Sequence, residues 1–405
     1  MKEQASRAVI VVALLFAFRM LGLFMLLPVF SLYAGQYGGS TPFLIGLALG
    51  IYGLSQALLQ IPFGLLSDKI GRKAVIVLGL CIFVLGSLVA AFSTSIMGVI
   101  IGRLLQGMGA IGSTLLALLA DSTQEKHRTK AMAVVGGTIG LSFGVSMVIG
   151  PMLATYGGLS AIFFTTAGLG MLGVAMLLIV GPKTTSHQRN KDVETVPALL
   201  SSVLRNPTLL RLDIGIFTQH AILTAMFTVL PFILVEHGGV IPAQQHLHVY
   251  LPIMALAFIA MVPVIIFAEK YKQTRAVFLL AITVTAITQF CLSFWHQSFA
   301  QIITLLILYF TAFNLLEALL PSLVSKAAPS GSKGTAMGVY STSQFLGIFA
   351  GGALAGLLNT LHIESCTFGL CGLLATSWLL STWHIQLQRK PLPEAGEVIS
   401  EVTPS

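Results

Sequence analysis

Charge is what this chain has least of. Of 405 residues, 22 are Lys or Arg and 14 are Asp or Glu, so charged side chains make up 9%, against roughly a quarter in a soluble domain. That scarcity excludes a water-soluble globular protein. Cysteine is scarce too. Cys81, Cys291, Cys366 and Cys371 lie in or beside apolar runs with no metal spacing, and they read as small hydrophobes. Neither H-E-x-x-H nor a P-loop pattern occurs, so no enzyme is expected and ATP cannot drive this chain by itself. No long stretch alternates apolar with polar residues, which removes a β-barrel. No cofactor and no metal is expected, because His237, His246 and His248 stand at a loose spacing that suits a water-facing loop.

What is abundant is apolar length. Hydrophobic residues make up 56% of the chain and mean hydropathy is +0.91. The apolar residues fall into runs of about 20, the length of a helix crossing about 30 Å of hydrocarbon. Twelve such spans can be laid out: 8–34, 43–66, 73–92, 96–119, 129–155, 159–180, 209–236, 247–269, 275–294, 299–322, 333–358 and 363–386. The cations test this layout. Arg19 and Arg103 lie well inside spans, and the other 20 lie at the N-terminus, in the even-numbered connections or within the first residues of the spans beside them, or in the tail. The odd-numbered connections carry none. A net charge of +8 is therefore a topology signal, with no nucleic-acid partner implied, and it places both termini and the central linker in the cytoplasm.

The expected fold class is an all-α membrane protein of twelve transmembrane helices in two six-helix bundles. The bundles cover 1–180 and 209–386, with a linker at 181–208 and a tail at 387–405. A short repeat agrees. Thr129-Lys130-Ala131-Met132-Ala133 opens span 5 and Gly334-Thr335-Ala336-Met337-Gly338 opens span 11, while spans 1 and 7 each place a proline, Pro28 and Pro231, in their outer half. Such repeats suit secondary transporters that bind substrate between two halves. In the linker, Val196, Leu199, Leu200, Val203 and Leu204 repeat at helical spacing and predict a short helix on the inner membrane surface. The tail from Lys390, with its Pro and Glu, reads as disordered.

Four motifs stand out. Between spans 2 and 3, Gly64-Leu65-Leu66-Ser67-Asp68-Lys69-Ile70-Gly71-Arg72-Lys73 packs glycines and charges into one turn. Gly64 and Gly71 let backbones approach closely, Asp68 beside a helix N-terminus gains from the dipole, and Arg72 can pair with Asp121. Span 4 holds Arg103-Leu104-Leu105-Gln106-Gly107-Met108-Gly109-Ala110. Span 5 holds Gly140, Gly144, Gly150 and Pro151, and the Gly150-Pro151 pair should kink or loosen it. Span 1 holds Gly22 followed by Pro28-Val29.

In these places the chain resembles the major facilitator superfamily. The first run resembles its motif A, with Lys69 for the usual Arg, and the second its motif B. The third resembles antiporter motif C, although Met152, Leu153 and Ala154 stand where Gly-Gly is customary. Gly22 with Pro28-Val29 resembles the signature of the twelve-helix drug:proton antiporters. Some members continue into a small cytoplasmic α/β domain, and this chain is read without one. The resemblance implies a cytoplasmic gate at Gly64, Asp68, Gly71, Arg72, Lys73 and their partner Asp121, which latches the halves in the outward-open state. An ordinary charged turn that fixes topology is the alternative. For Arg103 the resemblance implies a tie to proton coupling.

Ionisable groups inside spans sharpen the reading. A charge at a helix centre costs at least about 2.5–3.5 kcal/mol to insert, so Arg19, Arg103, Glu317 and His220 should have partners and face a cavity. Glu317 is the sole acid well inside a span and the expected proton carrier. An ion pair with an arginine is its alternative. His220 carries the side chain that titrates nearest neutrality, and a hydrogen-bonded packing role is its alternative. Asp213 stands at a span boundary and is set aside. Polar groups within spans give the cavity candidates Arg19, Tyr52, Gln56, Gln219, Asn314, Tyr340 and Gln344, with Gln60 beside them. The expected protein is a monomeric proton-coupled exporter of an amphipathic small molecule in a bacterial inner membrane. Its partners are that molecule, protons and the bilayer. Uptake of a nutrient or siderophore is the rival direction.

Overall fold

The computed structural model describes residues 2–123, 125–182, 196–236, 246–295, 298–329, 332–363 and 366–385. The polar linker, His237, the side chain of His246 and the tail from 386 fall outside that description. Among the described residues the secondary structure is helical, with no strand beyond an isolated bridge between Gly38 and Ser95.

Helix α1 (Lys2–Phe24) is followed by the short α2 (Phe30–Ala34), then α3 (Pro42–Ile70), α4 (Arg72–Phe92), α5 (Ile96–Met108) and α6 (Gly112–Ser122). Helix α7 (Glu125–Ile179) leads to α8 (Val196–Leu204), and the second half runs α9 (Pro207–Glu236), α10 (His246–Lys270), α11 (Thr274–Phe294), α12 (Phe299–Ala327), α13 (Lys333–Thr360) and α14 (Cys366–Thr382). Among the described residues, ten helical stretches are long and apolar enough to cross a membrane. One of the ten, containing α7, is two helices joined at Gly157 and Gly158, and α14 adds a shorter apolar helix. This is a multi-pass membrane protein.

The helix ends follow local chemistry. Thr41 caps α3 by accepting from the Leu44 N–H at 3.3 Å, with Pro42 in the first turn where its missing N–H costs nothing. Ser95 and Ser298 cap α5 and α12 in the same way. Expected span 1 breaks at Pro28, which has no N–H for the helix ladder, and the chain bridges the gap with Leu27-to-Phe24 and Val29-to-Leu26 bonds. Expected span 4 breaks between α5 and α6, where Gly109 comes up against the Gly79 carbonyl.

One expectation about a proline changes. Pro231 lies inside an unbroken α9, so it is no structural counterpart of Pro28. Span 5 is helical through Pro151, and the departure from helical backbone at Gly157 (φ −152°) and Gly158 (φ 61°) falls in the expected connection between spans 5 and 6. A neighbouring helix can shield what a proline frees. Gly150 serves packing instead, because a Cβ there would collide with the Met25 carbonyl, and its bareness lets α7 approach the broken first span.

Small residues set the packing between helices. Gly86 and Gly102 let α4 and α5 touch backbone to backbone, and Gly107 rests on the Tyr52 carbonyl. Between the chain halves, Gly46 lies against Gly352 and Gly356, Gly50 against the Phe349 carbonyl, where an added Cβ would come within 2.8 Å, and Gly53 against the Phe345 carbonyl. Ser31 donates to the Phe227 carbonyl at 3.1 Å, joining the end of the first span to α9. These α3–α13 contacts gather at the end away from the cations. Toward the cation-rich end, positions 136, 137, 140, 334 and 338 have nothing within 4 Å of a would-be Cβ. One apolar core links both halves, and a second lies within the last helices, where Val203 of α8 is fully buried with Leu209 and Leu212. The linker helix is thus docked on the second half as well as amphipathic.

Candidate transport site

The buried polar groups form two separate networks, one in each chain half. In the first, Arg19 of α1 is 1% exposed and donates to the Tyr52 hydroxyl at 3.0 Å and to Gln56 Oε1 at 2.6 Å. Gln56 passes the chain on to Gln60 at 3.0 Å, and the guanidinium stacks 5.8 Å from the centre of the Phe83 ring. Arg103 of α5 donates to the Ala48 and Leu49 carbonyls at 3.2 and 3.3 Å and to Gln106 at 3.0 Å, 4.8 Å from the Tyr52 ring centre. Gln106 in turn donates to Ser87 at 2.8 Å. Both arginines are held by neutral acceptors and ring faces. Arg19 and Gln56 are thus bound within the first half, while the Tyr52 ring also meets Phe345 of α13, 6.1 Å centre to centre, at the seam with the second half.

The second network centres on Glu317 of α12. Its carboxylate accepts from Gln219 at 3.1 Å and from Gln344 at 3.5 Å, and His220 Nε2 stands 3.9 Å away. Gln344 also meets His220 at 2.8 Å, and His220 Nδ1 faces the Ile216 carbonyl at 3.3 Å. No Lys or Arg pairs with Glu317 among the described residues, so the arginine ion pair weighed from sequence is absent. Helical spacing explains the assembly: Gln219 and His220 are neighbours on α9, and α13 is drawn onto α9 by Gly347 and Gly351, which rest on the Phe217 and Ala221 carbonyls.

Glu317 lines a cavity between the halves together with Asn314, Phe24, Ile139, Gly140, Phe143 and Phe313. Phe143 stands 5.1 Å from Phe24 and 5.1 Å from Phe313, centre to centre, so rings from both halves wall the space. Of the cavity candidates, Asn314 reaches it directly. Gln219 and Gln344 reach Glu317, Tyr340 lies buried one turn below Gln344 on α13, Tyr52 meets Phe345 at the seam between the halves, and Arg19 and Gln56 bond to each other within the first half. The run Gly140-Leu141-Ser142-Phe143-Gly144 has the lettering of a hydrolase elbow, but it lies within a helix and Ser142 donates to the Thr138 carbonyl at 2.8 Å.

The charged turn of motif A is built differently from its expected form. Gly71 adopts φ 97°, a left-handed conformation that favours glycine, and no atom would crowd a Cβ there. Its role is the turn, while Gly64 is the one facing Ser113 of α6. Asp68 ends α3 instead of opening a helix, so the α3 dipole disfavours it and Arg72 offsets that at 2.5 Å. Arg72 also pairs with Asp121 at 3.2 Å and donates to Ser67 at 2.6 Å. Both ion pairs stay within the first half, and both acids are about half exposed, so each pair contributes of order 0.2–1 kcal/mol.

Sequence reading misses two participants. Ser87 gives no signal. Asp213 reads as a boundary residue, yet it is 5% exposed with Oδ1 unpartnered.

Helices that cross a bilayer, paired across a glycine seam around buried charge, define a membrane transporter. The family model described as Major Facilitator Superfamily matches residues 12–352 and 239–399, and the chain belongs to that family. It is 46% identical over 364 residues to the inner membrane transport protein YajR of Escherichia coli K12, covering 90% of this chain and 80% of that one. It is 27% identical to multidrug resistance protein 2 of Bacillus subtilis, over 89% of this chain and 91% of the relative. Among solved structures, the human organic anion transporter MFSD10 shares the fold, with a TM-score of 0.68 at 20% identity, over 95% of this chain and 99% of that one.

Proposed function

We propose that this transporter is a proton-coupled exporter of an amphipathic small molecule, working by alternating access in a bacterial inner membrane. It would act as a monomer of twelve spans with both termini in the cytoplasm. Bundles 1–180 and 209–386 rock against each other about the linker. The observation that carries the proposal is Glu317: a carboxylate in the wall of a ring-lined cavity between the halves, held by two amides and a histidine and by no cation. An acid so placed stays exchangeable, because no fixed charge holds it ionised. With a proton it is an uncharged group in an apolar wall. Without one, it is an anion that draws on its amide partners and on any polar head the cargo brings. Phe24, Phe143 and Phe313 suit the cargo's apolar part. Arg103 shapes the first half and acts on coupling through α3. His220 positions Glu317 through Gln344. The motif A cluster is the latch that engages the second half when the cation-rich end closes.

Export is favoured by the name of the Bacillus relative and by the glycine series of span 5. Uptake of a nutrient or siderophore is favoured by Met152, Leu153 and Ala154 at the end of that series and by the helix that runs straight through Pro151. Metabolite profiling of cells and medium, with and without the protein, decides direction: accumulation inside the deletion strain supports export, and lost uptake supports the rival. The compound so found is then added to everted vesicles under a proton gradient. Glu317→Gln should abolish gradient-driven flux, and unchanged flux removes Glu317 from coupling.

A further inference from the structure

Asp213 is the buried acid that the proposed coupling leaves unused. It lies on α9 six residues past Pro207, about 9 Å from the cation-rich end at 1.5 Å per residue. It is 5% exposed, its Oδ1 has no hydrogen-bond partner, and no cation pairs with it among the described residues. An acid left this way is costly, and in a membrane helix it is a functional site by default. Seven residues further on, two turns along the same face, stands His220.

The register between α9 and α13 shows what lies alongside. Gly347 rests on Phe217 and Gly351 on Ala221, so one turn earlier Asp213 falls level with Ser343, between Tyr340 and Gln344. Tyr340 is 4% exposed and its hydroxyl is also unpartnered. That hydroxyl lies within electrostatic range of both Asp213 and Glu317. Two unpartnered polar groups, one on each helix, thus stand between Glu317 and the cation-rich end. Of the other helices against α9, α2, α8 and α14 contain no Asp, Glu, His, Lys or Arg. Helix α12 brings Glu317 and, in its last turn, Lys326; α13 brings Lys333 in its first turn, and α3 ends in Asp68 and Lys69. On α9 itself Arg211 stands two residues from Asp213, on another face.

We infer that Asp213 is a second proton site, joined to Glu317 through the Tyr340 hydroxyl, on the route by which the central acid exchanges protons with the cation-rich end. Once side-chain rotation brings the Tyr340 hydroxyl into hydrogen-bond reach of both carboxyls, the Glu317 carboxyl gives its proton to the Tyr340 oxygen while the tyrosine gives its own to the Asp213 carboxylate. One proton moves, the negative charge passes from Asp213 to Glu317, and the tyrosine is left neutral. Rotation of the hydroxyl resets it. The inference rests on the proton-coupled reading of Glu317.

Difference infrared spectroscopy of the full-length protein in lipid nanodiscs, titrated with acid and base, reads buried carboxyl groups without any cargo. Asp213→Asn should delete one titrating carboxyl band and shift the midpoint of the Glu317 band by about one pH unit, the coupling at which two sites titrate as a pair. Glu317→Gln should do the converse. Tyr340→Phe should keep both bands and cancel the mutual shift. If Asp213→Asn deletes no band, or leaves the Glu317 midpoint in place, the inference falls. Should the asparagine variant fail to fold, Asp213→Glu serves instead: a displaced second band supports the relay, and an unaltered spectrum overturns it. Failure of the coupling reading shows elsewhere, as wild-type flux in Glu317→Gln vesicles, whatever the bands do.

Discussion

The two chain halves bury opposite charge. The first encloses Arg19 and Arg103 and no acid near them; the second encloses Glu317 and Asp213 and no Lys or Arg paired with them among the described residues. Their partners differ in kind as well. Arg103 is pinned by two main-chain carbonyls, Gln106 and a ring, and such a guanidinium keeps its charge at neutral pH. Glu317 is held by side-chain amides that serve either form of the acid. One half has a fixed charge and a rigid scaffold, while the other has a charge that can come and go. The difference suggests a division of labour between a frame and a titrating element.

Three substitutions probe that contrast, beginning with the largest effect. Arg103→Lys keeps the charge but loses the planar fork, so at least one of its three hydrogen bonds goes unmade in a dry site. The expected cost is about 2–4 kcal/mol, read as a lowered melting temperature in detergent. Wild-type stability would mean that the frame does not depend on that fork. Arg19→Met removes a cation together with its desolvation cost, so the net loss should be about 1 kcal/mol in the same assay. A loss exceeding that of Arg103→Lys would reveal a counter-anion for Arg19 and break the contrast. Glu317→Gln retains an acceptor for Gln219 and Gln344, and stability should change by less than about 1 kcal/mol even as gradient-driven flux disappears. A large drop in melting temperature would make Glu317 a part of the frame.

Much of this is legible in the residues. Apolar runs and the cation map place the helices to within a few residues, since length and composition alone decide whether a helix can lie in hydrocarbon. Glu317, His220 and Arg103 are visible because an ionisable group in an apolar run is costly and needs a reason. Orientation is not legible. Arg19 is expected to face a cavity, but which side of α1 it lies on depends on how α3 and α4 pack. Asp213 is hidden by its nearness to Arg211 and the span boundary, although α9 buries it two turns below His220. The connection between spans 5 and 6 is legible, and Gly157 and Gly158, with their non-helical dihedrals, make it. The pairing of Arg72 with Asp121 is legible in motif A, while the pairing of Arg72 with Asp68 needs three dimensions.

The glycine seam between α3 and α13 carries one more consequence. Gly46, Gly50 and Gly53 meet their counterparts through bare backbone whose N–H and C=O groups are already spent within their own helices. Parting these faces breaks no directional bond and strands no donor, so what resists separation is contact area alone, at a fraction of a kcal/mol per atom pair. A joint of this kind comes apart and reseats without memory of the path. Under the proposed alternating access, its set point would belong as much to whatever fills the gap, lipid tails or water, as to the protein, and bilayer composition would become a control on how often that end opens.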